Sequence, residues 1–343
     1  MLYLVIFTTL FNCKSKNESI YFNREKYLIS KDIDYDKNKL LIGFPSLLVA
    51  VDSCLVTLSF QGNNYIKILD LKEHRICEMG AKWKGPGEIA FPTDLSLNRC
   101  SFKSFDVYDY GKKTVNVFNI DSCRIHKKSN PIEIIKAIKS SFKSYNICDD
   151  KNLNTGLFDN KFPFSVSNKD SIFYKFGDYD YNPQDNNSLM NKCMAYQGNY
   201  RLQDSNFVRT CTNAQIIEIY KFDRNLHFHL VKKIVGSYVN YKSGNSNKGY
   251  SSPINSDSPF AYLDVATSKK YMYLLYSGKK PKEFRKNNDY IKGSEIHVLD
   301  WKGNSIVKLK LNKNVVNISY SEKENRIYAI THDPEPKLIY FEL

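Results

Sequence analysis

His227 and His229 stand two residues apart, a spacing that turns both imidazoles to one face of a strand. That is half of a metal site, and equally an ordinary strand edge. Asp178-x-Asp180-x-Asn182 opens like a calcium loop. It then carries Pro183 where the sharp turn needs Gly and Leu189 where a bidentate Glu belongs. Asp32-x-Asp34-x-Asp36 fails likewise, with Lys37 and Gly43. Both read as solvated turns. There is no G-x-S-x-G elbow, no H-E-x-x-H and no phosphate loop, so the common hydrolase and nucleotide chemistries have no motif to rest on. No cofactor is expected, with Ca²⁺ the one ion left open.

Glu88 is the carboxylate of most interest. It follows the turn Gly85-Pro86-Gly87, whose glycines permit positive φ around a rigid proline, and that turn could aim it at a binding funnel. The competing role is to cap the same turn by accepting backbone N–H groups. Tyr196 and Gln197 are candidate ligand contacts, since tyrosine offers an apolar face with a polar tip, and core packing is the equal alternative. Arg209 joins them as a candidate contact. No residue is assigned a catalytic role. The polar, Tyr-bearing segments 177–191 and 237–259 read as rim loops, either binding surfaces or insertions.

The net charge of +14 raises nucleic acid, anionic glycan or anionic lipid as partners. Only nine of the 50 basic residues are Arg, however, and no basic run is interleaved with aromatics on one element. The densest, Lys279-Lys280-Pro281-Lys282 with Arg285 and Lys286, falls in a loop. Nucleic acid is therefore not an expected partner.

These residues must be positioned by strands. Tyr (25) and Phe (21), with many Ile and Val, favour pleated segments, whereas amphipathic helix pattern is nearly absent. The best helix candidate, Pro131 to Lys139, fits a strand almost as well. Elsewhere short apolar runs end near an Asp or Gly, pass through a polar turn and resume, as in Phe105–Asp109, Gly111–Lys113 and Val115–Ile120. Such meanders recur in six groups, approximately 44–79, 90–128, 132–177, 192–236, 258–312 and 313–343. The expected fold is all-β: a six-bladed β-propeller of four-stranded antiparallel blades. The last group shows three strands, and a blade left so would expose an edge. The segment from Lys26 to Asp36 can supply the missing strand and close the ring. A sandwich or two smaller β-domains is the competing architecture.

Leu2 to Phe11 form an apolar stretch of signal-peptide length, too short for a membrane span, followed by an abrupt polar switch. With Leu10-Phe11-Asn12-Cys13 in the lipobox position, this start resembles a bacterial lipoprotein signal. The resemblance implies lipidation of Cys13. The expected organisation is signal peptide 1–12, tether 13–24 and propeller 25–343; the alternative for the start is a buried strand with an ordinary cysteine. Seven cysteines then remain, an odd number, and none forms C-x-x-C. Cys193 and Cys211 are candidates to bridge neighbouring strands of one blade.

The stretch from Gly80 through Gly85-Pro86-Gly87-Glu88 to Phe118 resembles an NHL-type propeller repeat. Together with Ala195-Tyr196-Gln197, Phe207-Val208-Arg209, Ile216–Tyr220 and the run from Tyr271 to Pro336, it resembles the TolB-like six-bladed propeller lipoproteins of Bacteroidetes. That resemblance implies an exported outer-membrane or periplasmic lipoprotein of undefined activity. It would be held to a membrane by its lipid, with a glycan, peptide or envelope protein as partner. The alternative is a lactonase-type hydrolase with a metal in the axial funnel, held by ligands dispersed one to a blade.

Overall fold

The structure, a computed structural model, describes residues 20–35, 47–83, 85–125, 129–169, 171–246, 249–284 and 289–343. Six antiparallel sheets built from the blocks 48–81, 92–136, 143–176, 198–235, 262–315 and 317–342 stand in a ring. The first strand of each block lies at the hub, where those of neighbouring blades contact one another. The six-bladed expectation holds.

Ring closure uses the N-terminal segment, in a more divided way than the sequence suggested. Lys31–Asp32 pairs antiparallel with the last strand, Pro336–Glu342, and gives blade six its outermost strand. Just before it, Glu25–Leu28 runs parallel to Ser305–Val315 as a fifth strand on blade five. The single strand expected over 26–36 is thus shared between two blades. Leu28 is the buried anchor of this segment, packed in the core of blades five and six. Lys310 and Lys31 form surface ion pairs with Glu25 (2.6 Å) and Glu342 (2.8 Å), contacts worth little singly.

Two boundaries move. Glu133–Lys136, counted with the third group, pairs with Thr114–Val117 and is the outer strand of blade two. Helix α1 (Ile120–Arg124), whose N-terminus is capped by Asn119, interrupts the chain before it. Helix α2 (Leu189–Ala195), capped by Ser188, occupies the end of the segment expected as loop and the expected start of blade four.

Alternation of exposure, the usual sign of a strand, is weak in the blade interiors. Cys54–Leu58 and Ser104–Asp109 are buried at every position, because neighbouring blades cover both faces of a sheet. The outer strand Glu133–Lys136 buries only Ile135. The Asp-then-turn grammar has a direct cause. Asp70, Asp109, Asp223 and Asp300 each close a strand or open a turn by accepting backbone N–H groups of that turn, as Asx residues do.

Cys77 on the outer strand of blade one is bonded to Cys123 in α1, closing a 46-residue interval and tying α1 to the neighbouring blade. Cys193 and Cys211 are both free and buried, which corrects the expected bridge. Cys193 belongs to α2 rather than to a strand beside Cys211, and the Tyr179 hydroxyl lies 2.8 Å from its sulfur. A Cys77→Ser/Cys123→Ser double variant should lose about 2–4 kcal/mol in urea unfolding, since a loop of this length loses closure entropy in the unfolded chain when bridged. A loss below about 0.5 kcal/mol, under the lower end of that range, would mean that the Arg124–Asp70 ion pair at 2.7 Å holds this seam unaided.

Candidate functional site

Strand order sets the two faces of the ring. Connections between blades, and the turns between second and third strands, open on one face, here called upper. The remaining turns open on the lower face. The long segments 177–197, 236–261 and 277–292 all emerge above, whereas the lower turns are mostly short.

Glu88 does not point into a funnel. Its carboxylate accepts the Gly85 N–H at 2.7 Å and occupies the space where a Gly85 Cβ would stand. Only Gly87 adopts positive φ (76°), so Gly85 serves by lacking a side chain rather than by its backbone angle. Asp109 and Lys112 then tie this turn to blade two. Asp109 accepts from Ala90 and Phe91 N–H (2.7 and 2.9 Å), while Lys112 Nζ donates to the Gly85 and Glu88 carbonyls.

Arg209 and Tyr196 do not line the mouth either. Each is 1% exposed. Arg209 pairs with Glu218 at 3.0 Å and lies over the Tyr181 ring, and its other guanidinium nitrogen donates to the Tyr196 carbonyl. A guanidinium this deep in a blade needs its carboxylate partner, and the pair lies directly cross-strand. Tyr196 packs on Tyr181 in a small core formed by the 177–197 and 236–261 segments, which therefore cap blade four instead of hanging free. Gln197 alone of this group is exposed. His227 and His229 are both exposed with Phe228 buried between them, the alternation of one strand face, but His227 lies 3.7 Å from Asp223 and, among the described residues, no group of three metal-ligating side chains forms there.

The hub holds residues that no motif announced. Asp94 of blade two accepts from Lys143 Nζ (2.8 Å) and from the Tyr145 hydroxyl (2.7 Å), both on blade three. Arg201 of blade four reaches Asp94 at 3.6 Å and Asp264 of blade five at 3.1 Å. Asp264 also accepts the Ile318 N–H of blade six at 2.9 Å. Asn317 and Ser319 of blade six accept the Leu48 and Ala50 N–H groups of blade one, at 2.7 and 2.8 Å. Burial alone would raise the Asp94 carboxyl; Lys143 and Arg201 more than reverse this and hold it below its ordinary range. Burial prevails at Asp264, where Arg201 opposes it only in part, and its pKa is raised.

This belt floors a cup of about 220 Å³ on the upper face, walled by Phe260, Leu263, Ile291 and Val316. A second depression, about 560 Å³, lies off-axis between blades two, three and four. Phe91, Tyr110, Phe142, Met190 and Met194 supply its apolar lining. Gln197, Thr93 and Lys143 supply its polar atoms. Phe91 is 52% and Tyr110 43% exposed. Lys113 Nζ lies 3.3 Å over the Tyr110 ring and donates to the Ser141 carbonyl at 2.7 Å; partial burial lowers its pKa.

The ring aligns with a protein of the DUF4221 family from Bacteroides vulgatus over 95% of this chain and 98% of that one, at 11% identity and a TM-score of 0.57. It aligns equally with a Bacteroides fragilis protein named for its expected export, over 93% and 98% of the two chains, at 12% identity and a TM-score of 0.59. At such identity the likeness concerns the fold. No curated protein matches the sequence. Residues 23–323 match the model of the TolB-like six-bladed propellers, and the chain belongs to that family.

Proposed function

We propose that the protein is an exported binding or scaffolding module, held to an envelope membrane by a lipid on Cys13 and engaging a peptide, glycan or envelope protein with its upper face. The observation that carries this is the division of labour between hub and rim. Hub charges are spent on one another, while apolar side chains stand open to solvent above. The hydrolase alternative needs carboxylates free to take a metal. Asp94 and Asp264 instead hold Arg201 between them, and a metal there would have to displace a guanidinium. The Asn317 oxygen is likewise committed to blade one. The residues present do not fit an axial metal.

Export is supported by the Cys77–Cys123 bond, which suits an oxidising compartment. Cys13 lies outside the described residues, and among the described ones no helix is long and apolar enough to cross a membrane. Metabolic labelling with a clickable fatty acid should mark the wild-type protein and not Cys13→Ala. Metal analysis of the purified chain should find Ca²⁺ and Zn²⁺ far below stoichiometry after dialysis. Equal labelling of both proteins would remove the anchor, and stoichiometric metal would restore the hydrolase.

A further inference from the structure

Three exposed concavities compete as the working surface, and their chemistry differs. The lower mouth, about 440 Å³, is ringed by polar groups that pair with one another, such as Lys323 with Asp52 at 2.9 Å. The axial cup is floored by the self-compensated belt. The off-axis depression sets its open apolar side chains beside several cations that lack carboxylate partners, where the lower mouth has one such cation, Arg99, held by the Ile147 and Asp204 carbonyls near the exposed Phe102.

Two of the depression's cations are fixed in place. Lys112 is bonded to the Gly85 and Glu88 carbonyls at 2.7 and 2.6 Å, beside the segment that carries Phe91. Lys113 is bonded to the Ser141 carbonyl, next to Phe142, and caps the Tyr110 ring. Lys139, in the same connection as Phe142, is exposed. Carbonyl oxygens and a ring face orient an ammonium without cancelling its charge. Nearby carboxylates are already engaged: Asp109 and Glu88 are held by backbone N–H groups, and the exposed Asp159 is paired with Lys175. The rim therefore presents positive charge around an apolar hollow.

We propose that this depression between blades two, three and four docks an acidic polypeptide segment, whose apolar side chain enters between Met190, Met194 and Phe91 while its carboxylates meet Lys112, Lys113 and Lys139. The proposal deepens the binding role given above and rests on it. Methionines suit such a hollow because unbranched, polarisable side chains adjust to differently shaped apolar guests. Charge complementarity at the rim selects acidic sequences and steers their approach. An acidic glycan would meet the same lysines. It would also need a dense set of hydrogen-bonding groups for its hydroxyls, and the lining offers chiefly Thr93, Gln197 and Lys143.

The test uses the whole exported domain and three fluorescent probes: a short peptide alternating Glu and Leu, its Lys/Leu counterpart, and an oligogalacturonate. The Glu/Leu peptide should bind, and binding should weaken as salt rises. Met194→Glu should reduce affinity about ten-fold or more, a change of one decade in Kd. Lys139→Glu should reduce affinity and flatten the salt dependence. Thermal melts confirm that each variant is folded, and the Lys/Leu comparison on the unaltered protein stands even where a variant is not. Equal binding of both peptides, or Glu/Leu binding indifferent to Met194→Glu, overturns the site. Oligogalacturonate binding lost in Lys139→Glu, with no peptide binding, overturns the peptide assignment and leaves the binding module standing. Stoichiometric metal in the same preparation would instead sink the binding reading itself.

Discussion

Arg201→Met should destabilise the ring by about 3–5 kcal/mol, the range for removing one partner of a buried ion pair. For a chain of this size that corresponds to a fall in Tm of roughly 4–7 °C. The cause is what the substitution leaves behind. Asp94 keeps Lys143 and the Tyr145 hydroxyl, whereas Asp264, 2% exposed, loses the side-chain cation that opposes its burial. Its remaining support is backbone N–H from Ile318 and Val265. An uncompensated carboxylate at the hub must either take a proton or carry its charge without solvent. Pairing Arg201→Met with Asp264→Asn should therefore recover part of the loss, because the second change removes the stranded charge. Arg201→Lys should fall between, since one ammonium cannot span two carboxylates as a planar guanidinium does. Thermal and urea unfolding of the wild type, Arg201→Met, Asp264→Asn and the double variant form a double-mutant cycle. If the double variant were as unstable as the sum of the single ones, the belt would not be acting as a charge network.

The fold was legible because its signals are local and repeated. The Phe105–Asp109 strand, the Asp109 turn and the strand after it could be read as a hairpin from a dozen residues, and Asp109 does organise that turn. Even ring closure could be argued, since three strands at the C-terminus need a fourth. Blade two's outer strand is hard to place from sequence because α1 separates Glu133–Lys136 from its partner, and sequence adjacency then favours the wrong neighbour. The hub belt was illegible for a different reason. Asp94, Lys143, Arg201 and Asp264 come one from each of four blades, so they share no window in which a spacing could be noticed. Arg209 shows the opposite failure. An arginine inside Phe207-Val208-Arg209 reads as a ligand contact, although Glu218 sits equally alone among isoleucines in the adjacent strand. A lone cation and a lone anion at the centres of two consecutive apolar strands are the signature of a buried pair. The off-axis depression draws on four connections, and only Gln197 among its lining was anticipated.

Asp106→Asn should change the pH dependence of stability more than any surface substitution. Asp106 lies in the middle of blade two, 3% exposed, with the Asn98 amide donating to it at 2.7 Å. Burial pushes its pKa from 3.8 to about 7, Asn98 opposing and Glu133 assisting. The folded protein therefore holds a proton here that the unfolded chain gives up near pH 3.8. Below that pH both states are protonated and the contribution of the site to folding is complete. It declines as pH rises toward about 7 and is constant above, because by then both states are ionised. The gap between 3.8 and about 7 corresponds to ~4 kcal/mol lost across that window. Asparagine resembles the protonated acid: its carbonyl still accepts from Asn98, and its amide replaces the acid hydroxyl as a donor. The variant should match the wild type near pH 4 and exceed it by about 2–4 kcal/mol at pH 8, as the linkage requires. Subtracting one urea-unfolding series from the other across pH cancels the remaining titrating groups and isolates this one. Two series that ran parallel from acid to alkaline pH would show that folding leaves the Asp106 pKa where it stands in the unfolded chain, its charge met by the blade around it.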